Sequence, residues 1–329
     1  MDSLTHAALG AAVAEAAMGR QLGRRAALWG AAIGTLPDLD IIAFPWMDAL
    51  QRLEWHRGPS HAVPFILAAS PLLGWLIARI HCGRIHFARA AAAVACILAS
   101  HVLIDVFTVY GTAILDPFSD LRAGTNNFFI IDPLFTTTIL AGLAIALFAK
   151  NRPHLRRAAN CTGLTLATLY VLWSFAAKST ADAAFEKSLR ANATPAIRHM
   201  SAPTPFNTLL WRCVAETPDS FLIGYHSLLA PSRPIEFLAI PKNPLPATNP
   251  PLSRTLEKLL WFSNGYLTIE PLPDGFLASD WRFAEFRATP DSTPAALFAW
   301  KISPDGTITP LRTRFDAATH LRRLLSALR

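Results

Sequence analysis

Read from its N-terminus, the chain alternates long apolar runs with short polar breaks for about half its length and then changes character. Four runs approach the ~20 residues that a membrane-spanning helix needs: 62–80, 88–109, 130–149 and 161–177. A fifth and weaker run, 26–44, is interrupted by Pro37-Asp38-Leu39-Asp40. That tetrapeptide is too polar for lipid and is expected at the membrane surface or in a protein-lined cavity. Ahead of it, 4–18 is an Ala-rich helix too short to cross comfortably; it lacks the basic leader of a signal peptide and is expected to be retained. Beyond residue 178 the apolar runs shorten to strand length, at 221–229, 235–240, 265–272, 275–283 and 296–302, with Pro, Gly, Asn and Asp between them. Pro304-Asp305-Gly306 predicts a hairpin turn, and 315–328 a closing helix with leucines at helical spacing. The pattern predicts a polytopic α-helical membrane domain over 1–178, with about five spanning helices plus the short N-terminal helix. A linker over 179–200 and a small β-rich α+β soluble domain over 201–329 follow.

Composition supports that division. Of 329 residues, 52% are hydrophobic and 16% charged, against roughly a quarter charged in an average soluble domain. Residues 1–178 hold 14 Lys/Arg and 10 Asp/Glu, and the remainder 16 and 13, so the second part has ordinary soluble polarity. Four widely spaced cysteines with no C-x-x-C offer neither a disulfide framework nor a zinc knuckle. The net charge of +7 is mostly topological. One set of connections carries Arg20, Arg24, Arg25, Arg79, Arg84, Arg89, Lys150, Arg152, Arg156 and Arg157, and the opposite set only Arg52, Arg57 and Arg122. Ten against three puts the first set in the cytoplasm. The second set and everything after the 161–177 helix are then extracytoplasmic, and no nucleic-acid partner is needed to explain the basic balance.

With that topology drawn, the unusual polar residues of the apolar half converge on the outer side. His6 begins the first helix, and Asp38 and Asp40 close the outward end of the next. His56-Arg57-Gly58-Pro59-Ser60-His61 occupies the first outer loop. His101 and Asp105 are four apart on one helical face, an ionisable pair that is costly in lipid unless paired or functional. Imidazole and carboxylate are ligands for zinc and for manganese or iron. Four histidines with several carboxylates exceed the needs of one tetrahedral ion, so more than one ion is expected, with Asp40 or a second carboxylate as general base. Each element also has a plain reading: a helix-start histidine, a turn with a helix stop, a polar loop. Arg57 either grips a phosphate or developing anion or anchors the helix start at headgroups. Thr112 and Asp116 can line the site or orient a histidine, and Asp132 caps its helix rather than ligating.

In order, M-D-S-L-T-H, L-P-D-L-D, H-R-G-P-S-H, S-H-V-L-I-D-V-F-T-V-Y-G-T and D-P-F resemble the YdjM-like family of inner-membrane metal-dependent hydrolases, over about residues 1–135. Later segments, P-T-P-F-N-T-L-L-W-R, W-F-S-N-G-Y and D-W-R-F, resemble the C-terminal region of the family's longer members. The resemblance implies a membrane-bound hydrolase whose metal ligands are His6, Asp38, His56, His61, His101 and Asp105. The reaction expected is cleavage of an ester or phosphoester, of a lipid or lipid-linked substrate, by metal-activated water at the outer membrane surface. Two rivals stand beside it: a transporter or proton relay, and a membrane scaffold with a structural metal. A relay should continue to the cytoplasmic face, where the inner helix halves offer little beyond Glu15.

Overall fold

The computed structural model describes residues 1–149, 151–246, 249–286 and 294–312. The chain divides into two compact units, the first made of Met1–Pro45, Trp55–Ala176 and Pro205–Asn207, the second of Trp46–Glu54, Ala177–Thr204 and Thr208–Arg329. The closing helix expected over 315–328 lies outside the described residues.

The first unit is helical. Helix α1 (Ser3–Leu22) starts where the Asp2 side chain accepts the Thr5 N–H, and a short turn leads to α2 (Arg25–Thr35). A 3-10 segment, Pro37–Trp46, carries both aspartates of the P-D-L-D stretch. Helix α3 (Ala49–Trp55) and a single 3-10 turn, Pro59–His61, lead into α4 (Val63–Ile80) and α5 (Phe87–Val106). Helix α6 (Pro133–Phe148) opens with Asp132 capping Phe135 N and a proline at its first position, where no N–H is missed. Helix α7 (Pro153–Ala191) is 39 residues long.

The five spans expected from apolar length reduce to two helices long and apolar enough to cross a membrane, α4 and α5, or three if α2 and the Pro37–Trp46 segment form one span bent by 43°. Apolar sequence runs past the helix ends: the 130–149 run becomes a 16-residue helix, about 24 Å of rise against a hydrocarbon core of ~30 Å. The 161–177 run is the middle of the much longer α7, which continues through most of the stretch read as a linker.

Small residues set the helix spacing. A Cβ on Gly30 would meet the Gly10 carbonyl oxygen at 2.2 Å, and one on Gly34 the His6 carbonyl oxygen at 2.7 Å. Glycine therefore lets α1 and α2 approach backbone to backbone, as small-x-x-x-small pairs do. Gly142 and Gly163 do the same for α6 and α7, and Gly74 for α4 against Ala91 of α5. The core between them holds Met18, Ile33, Ile77, Val94, Ile97 and Leu98 on one side and Leu9, Ile104, Phe128, Phe135 and Ile139 on the other.

The second unit contains two four-stranded antiparallel sheets, each a meander. The first runs β1 (Arg198–Pro203), β2 (Leu210–Glu216), β3 (Ser220–Ser227) and β4 (Leu238–Pro241); the second β5 (Leu267–Leu272), β6 (Gly275–Phe286), β7 (Ala295–Ile302) and β8 (Ile308–Arg312). Val214, Phe221, Ile223 and Ile240 of the first share one core with Tyr266, Trp281 and Ala296. Ala177, Ala181, Phe185 and Leu189, every fourth residue of α7, pack on Trp211, Cys213 and Ala215 of β2. The expected strands are present, and the Pro304-Asp305-Gly306 turn joins β7 to β8. Three elements go beyond the expectation: β1, β2 and the amphipathic helix α8 (Pro250–Phe262), capped by Asn249.

Candidate metal centre

Helix α5 supplies the floor of the site. One turn apart on its inward face, His101 and Asp105 are 1% and 0% exposed. Helix α1 brings His6 onto His101, their rings stacked with centroids 3.6 Å apart. That contact depends on the glycine approach of α1 to α2, because the Gly34 carbonyl on α2 accepts the His101 Nδ1–H at 2.6 Å. A carbonyl can only accept, so His101 carries its proton on Nδ1 and directs the Nε2 lone pair inward.

From the opposite side come Asp38 and His61. His61 Nε2 lies 3.1 Å from His101 Nε2, 3.4 Å from Asp38 Oδ1 and 3.4 Å from Asp105 Oδ2. Asp38 Oδ1 is 3.7 Å from His101 Nε2, and His6 Nε2 is 3.1 Å from Asp105 Oδ1. One ligand atom from each of His6, Asp38, His101 and Asp105 falls within 4.8 Å of all the others. Behind His61, Nδ1 meets Ser60 Oγ at 2.9 Å, and Ser60 Oγ donates to Asp40 Oδ2 at 3.4 Å. With the hydroxyl proton directed at Asp40, Oγ accepts from His61 Nδ1–H, and Nε2 again faces the cluster. Burial pushes His61 down, but the neighbouring Asp105 and Asp38 carboxylates outweigh it and hold its pKa above the ordinary histidine value. A cation taken up there displaces that proton.

The donor set fits a divalent metal. Three imidazoles and two carboxylates are the N/O ligands that zinc, manganese and iron take. Asp105 Oδ2, fully buried, has no hydrogen-bond partner, and neither has His6 Nδ1; orphaned buried polar atoms are costly unless a ligand completes them.

Arg57 answers the acidic charge. It is 4% exposed, with Nη2 3.0 Å from Asp105 Oδ1, Nη1 donating to Thr108 Oγ1 at 2.7 Å and the guanidinium carbon 5.1 Å over the Tyr110 ring. The N-terminal ammonium also pairs with Asp105. Arg57 has φ 58°, a left-handed conformation costing a non-glycine residue roughly 1–2 kcal/mol. Asp40 Oδ2 accepting the Arg57 N–H at 3.1 Å and the Arg57 carbonyl accepting Ala113 N–H at 2.9 Å hold it there. This guanidinium grips a carboxylate of the cluster.

The remaining residues separate. His56 and Asp40 pair with each other, Nδ1 lying 3.1 Å from Oδ1, and not with the cluster of His6, Asp38, His101 and Asp105. Thr112 is buried, its backbone bridged to Ala123, and no hydrogen bond joins its hydroxyl to a histidine. Asp116 sits in a turn, its N–H donating to Ala113 O at 3.2 Å. Asp132 caps α6, as expected, and its second oxygen accepts the Tyr170 hydroxyl at 2.9 Å. Glu15 is held by Arg156 through two contacts of 2.6 Å, which neutralises the one deep carboxylate a proton relay could use. Gly34, Ser60 and Thr108 enter the site unforeseen; of these, only Gly34 left a trace in sequence, the Gly30-x-x-x-Gly34 spacing.

Comparison with known proteins matches residues 1–181 to the YdjM inner membrane protein family. No curated protein and no solved structure matches the chain.

Proposed function

We propose that this chain, which belongs to the YdjM inner membrane protein family, is a membrane-bound metal-dependent hydrolase. It cleaves an ester or phosphoester, of a lipid or lipid-linked substrate, at the outer face of the inner membrane. One observation carries this reading. Five side chains from four separate elements, His6, Asp38, His61, His101 and Asp105, turn their ligand atoms toward one another in an otherwise apolar unit. A divalent cation bound there, zinc by its donor set or manganese or iron, supplies Lewis acidity and makes water a usable nucleophile near neutral pH.

The protein's own groups do the rest. Arg57 pairs with Asp105 and aims it. The Gly34 carbonyl and the Ser60–Asp40 chain fix His101 and His61 as Nε2 donors. Asp38 has an 18% exposed side chain, whereas the other four members are 0–1% exposed, so a substrate approaches over Asp38. In a 3-10 helix residues three apart share a face, which sets exposed Ile41 beside Asp38; an apolar chain can lie there while the scissile bond reaches the cluster. Five donors suit a single ion, so we propose one and not several. For the topology, α4, α5 and the bent α2 pair cross, and the Lys/Arg bias orients the cluster and the C-terminal unit outward.

The test is hydrolysis of bis(4-nitrophenyl) phosphate and of short- and long-chain phospholipids by purified protein, before and after chelation and after metal is restored. Turnover abolished by chelator and recovered with metal supports the reading. Chelator-insensitive turnover, or none on any substrate, removes it.

A further inference from the structure

His56 is the residue whose placement departs most from its expected role. Its Nδ1 lies 3.1 and 3.2 Å from the two oxygens of Asp40. Three ring neighbours fix its plane: Tyr110 at 5.3 Å, Phe44 at 6.0 Å and His61 at 6.3 Å between centroids, all edge-on. Asp40 is itself rigid, since its side chain is 2% exposed and accepts the Arg57 N–H and the Ser60 hydroxyl as well. A carboxylate can only accept, so the shared proton sits on His56 Nδ1, and Nε2 is left as a lone pair on the far side of the ring. The His56 side chain is 24% exposed. Among the histidines and aspartates gathered here, only His56 and Asp38 are more than 2% exposed, and His56 packs edge-on against His61 of the cluster. A buried carboxylate holding Nδ1–H of a part-exposed imidazole whose ring lies 6.3 Å from a ligand histidine, with the other nitrogen left to accept, is the arrangement of a general base.

We propose that His56, oriented by Asp40, is the proton-transfer residue of this site and not a metal ligand; this rests on the hydrolase reading above. As a water oxygen forms its bond to phosphorus or to the acyl carbon, His56 Nε2 takes one of the water's protons. When the bond to the leaving oxygen breaks, Nε2 returns that proton to it, so that water and ester become acid and alcohol with no other reactant. Asp40 is the positioning residue, holding the tautomer through which Nε2 accepts.

The test compares His56→Ala, Asp40→Asn and His61→Ala with wild type in the full-length purified protein, reading bound zinc by elemental analysis and turnover of bis(4-nitrophenyl) phosphate. At saturating zinc His56→Ala and Asp40→Asn are expected to keep wild-type zinc content, the loss of the Ser60-mediated hold of Asp40 on His61 lowering affinity and not stoichiometry, which also shows that they fold. Both should lose turnover by about 100-fold or more, with KM little changed, and free imidazole should restore part of it to His56→Ala alone. His61→Ala should lose the zinc. Zinc lost from His56→Ala would make His56 a ligand and overturn the proposal, as would full zinc with turnover within about threefold of wild type. Wild-type protein that takes up no zinc, or binds it and hydrolyses nothing, defeats the hydrolase reading itself.

Discussion

At Gly34 the close approach of α1 to α2 also orients members of the cluster, so the smallest possible change there, Gly34→Ala, should be felt at the metal. The added methyl would lie 2.7 Å from the His6 carbonyl oxygen and 3.1 Å from Gly10 Cα, both backbone atoms that cannot rotate away. Ordinary contact begins at 3.4 Å, so the helices must part by about 0.7 Å. That movement carries His6 away from Asp105 and strains the bond from Gly34 O to His101 Nδ1, now 2.6 Å. Disturbing the groups that orient metal ligands weakens binding 10–100-fold, about 1.4–2.7 kcal/mol, and overpacking costs a further 1–3 kcal/mol of stability. Zinc affinity measured by competition with a chelating indicator, in detergent, reads the first effect; thermal unfolding of the metal-free protein reads the second. Ala32→Leu, on the exposed face of the same helix, should alter neither by much. Wild-type affinity in Gly34→Ala would refute the claim that helix approach sets the ligand geometry.

Three further outcomes follow from individual contacts. Asp132→Ala should lower stability by about 1 kcal/mol through loss of the α6 cap yet leave zinc stoichiometry unchanged, and a loss of zinc would move Asp132 into the site. In the second unit, Glu285 is 2.7 Å from Arg212 Nε. Burial raises its pKa, but the guanidinium and the hydrogen bonds from Tyr225 and Arg212 win and hold it below its ordinary value of 4.5. A depressed carboxylate stabilises the fold above the unfolded value and loses that contribution as pH falls through the folded one. Denaturant unfolding should therefore weaken below about pH 4.5, and Glu285→Gln should flatten that dependence while destabilising the protein at neutral pH by roughly 3–5 kcal/mol. Burial pushes the Cys213 thiol up to about 12; maleimide should label Cys82, which is exposed in the connection between α4 and α5, and reach Cys213 only in denaturant.

How much of this was legible in the sequence depended on what each residue costs in an apolar setting. His101 and Asp105 stood out because ionisable groups four apart in a lipid-length helix need a reason, and the structure brings them together with His6, Asp38 and His61. His56 could not be told from His61, because H-R-G-P-S-H presents two equal histidines. Only the turn at Arg57 and the 3-10 turn Pro59–His61 send one to Asp40 and the other to the cluster. Arg57 was open for the same reason, its partner Asp105 being 48 residues away. Apolar length overstates the number of spans because hydropathy does not register where a helix begins or stops: Pro133 begins α6 three residues inside its apolar run. Strand β2 escaped notice since six of its seven residues are buried, which erases the alternation that marks a strand with one wet face. The signals for α8 were present in Asn249-Pro250-Pro251, a cap followed by prolines at the first turn, ahead of Leu252, Leu256 and Leu259 on one face.

The central claim, that His6, Asp38, His61, His101 and Asp105 hold a catalytic cation, is tested most directly by elemental analysis of purified full-length protein beside the His101→Ala, Asp105→Ala double variant. Wild type should carry close to one equivalent of divalent metal after loading and buffer exchange, and the double variant almost none. Metal-free wild-type protein, or equal stoichiometry in the two, would contradict the account.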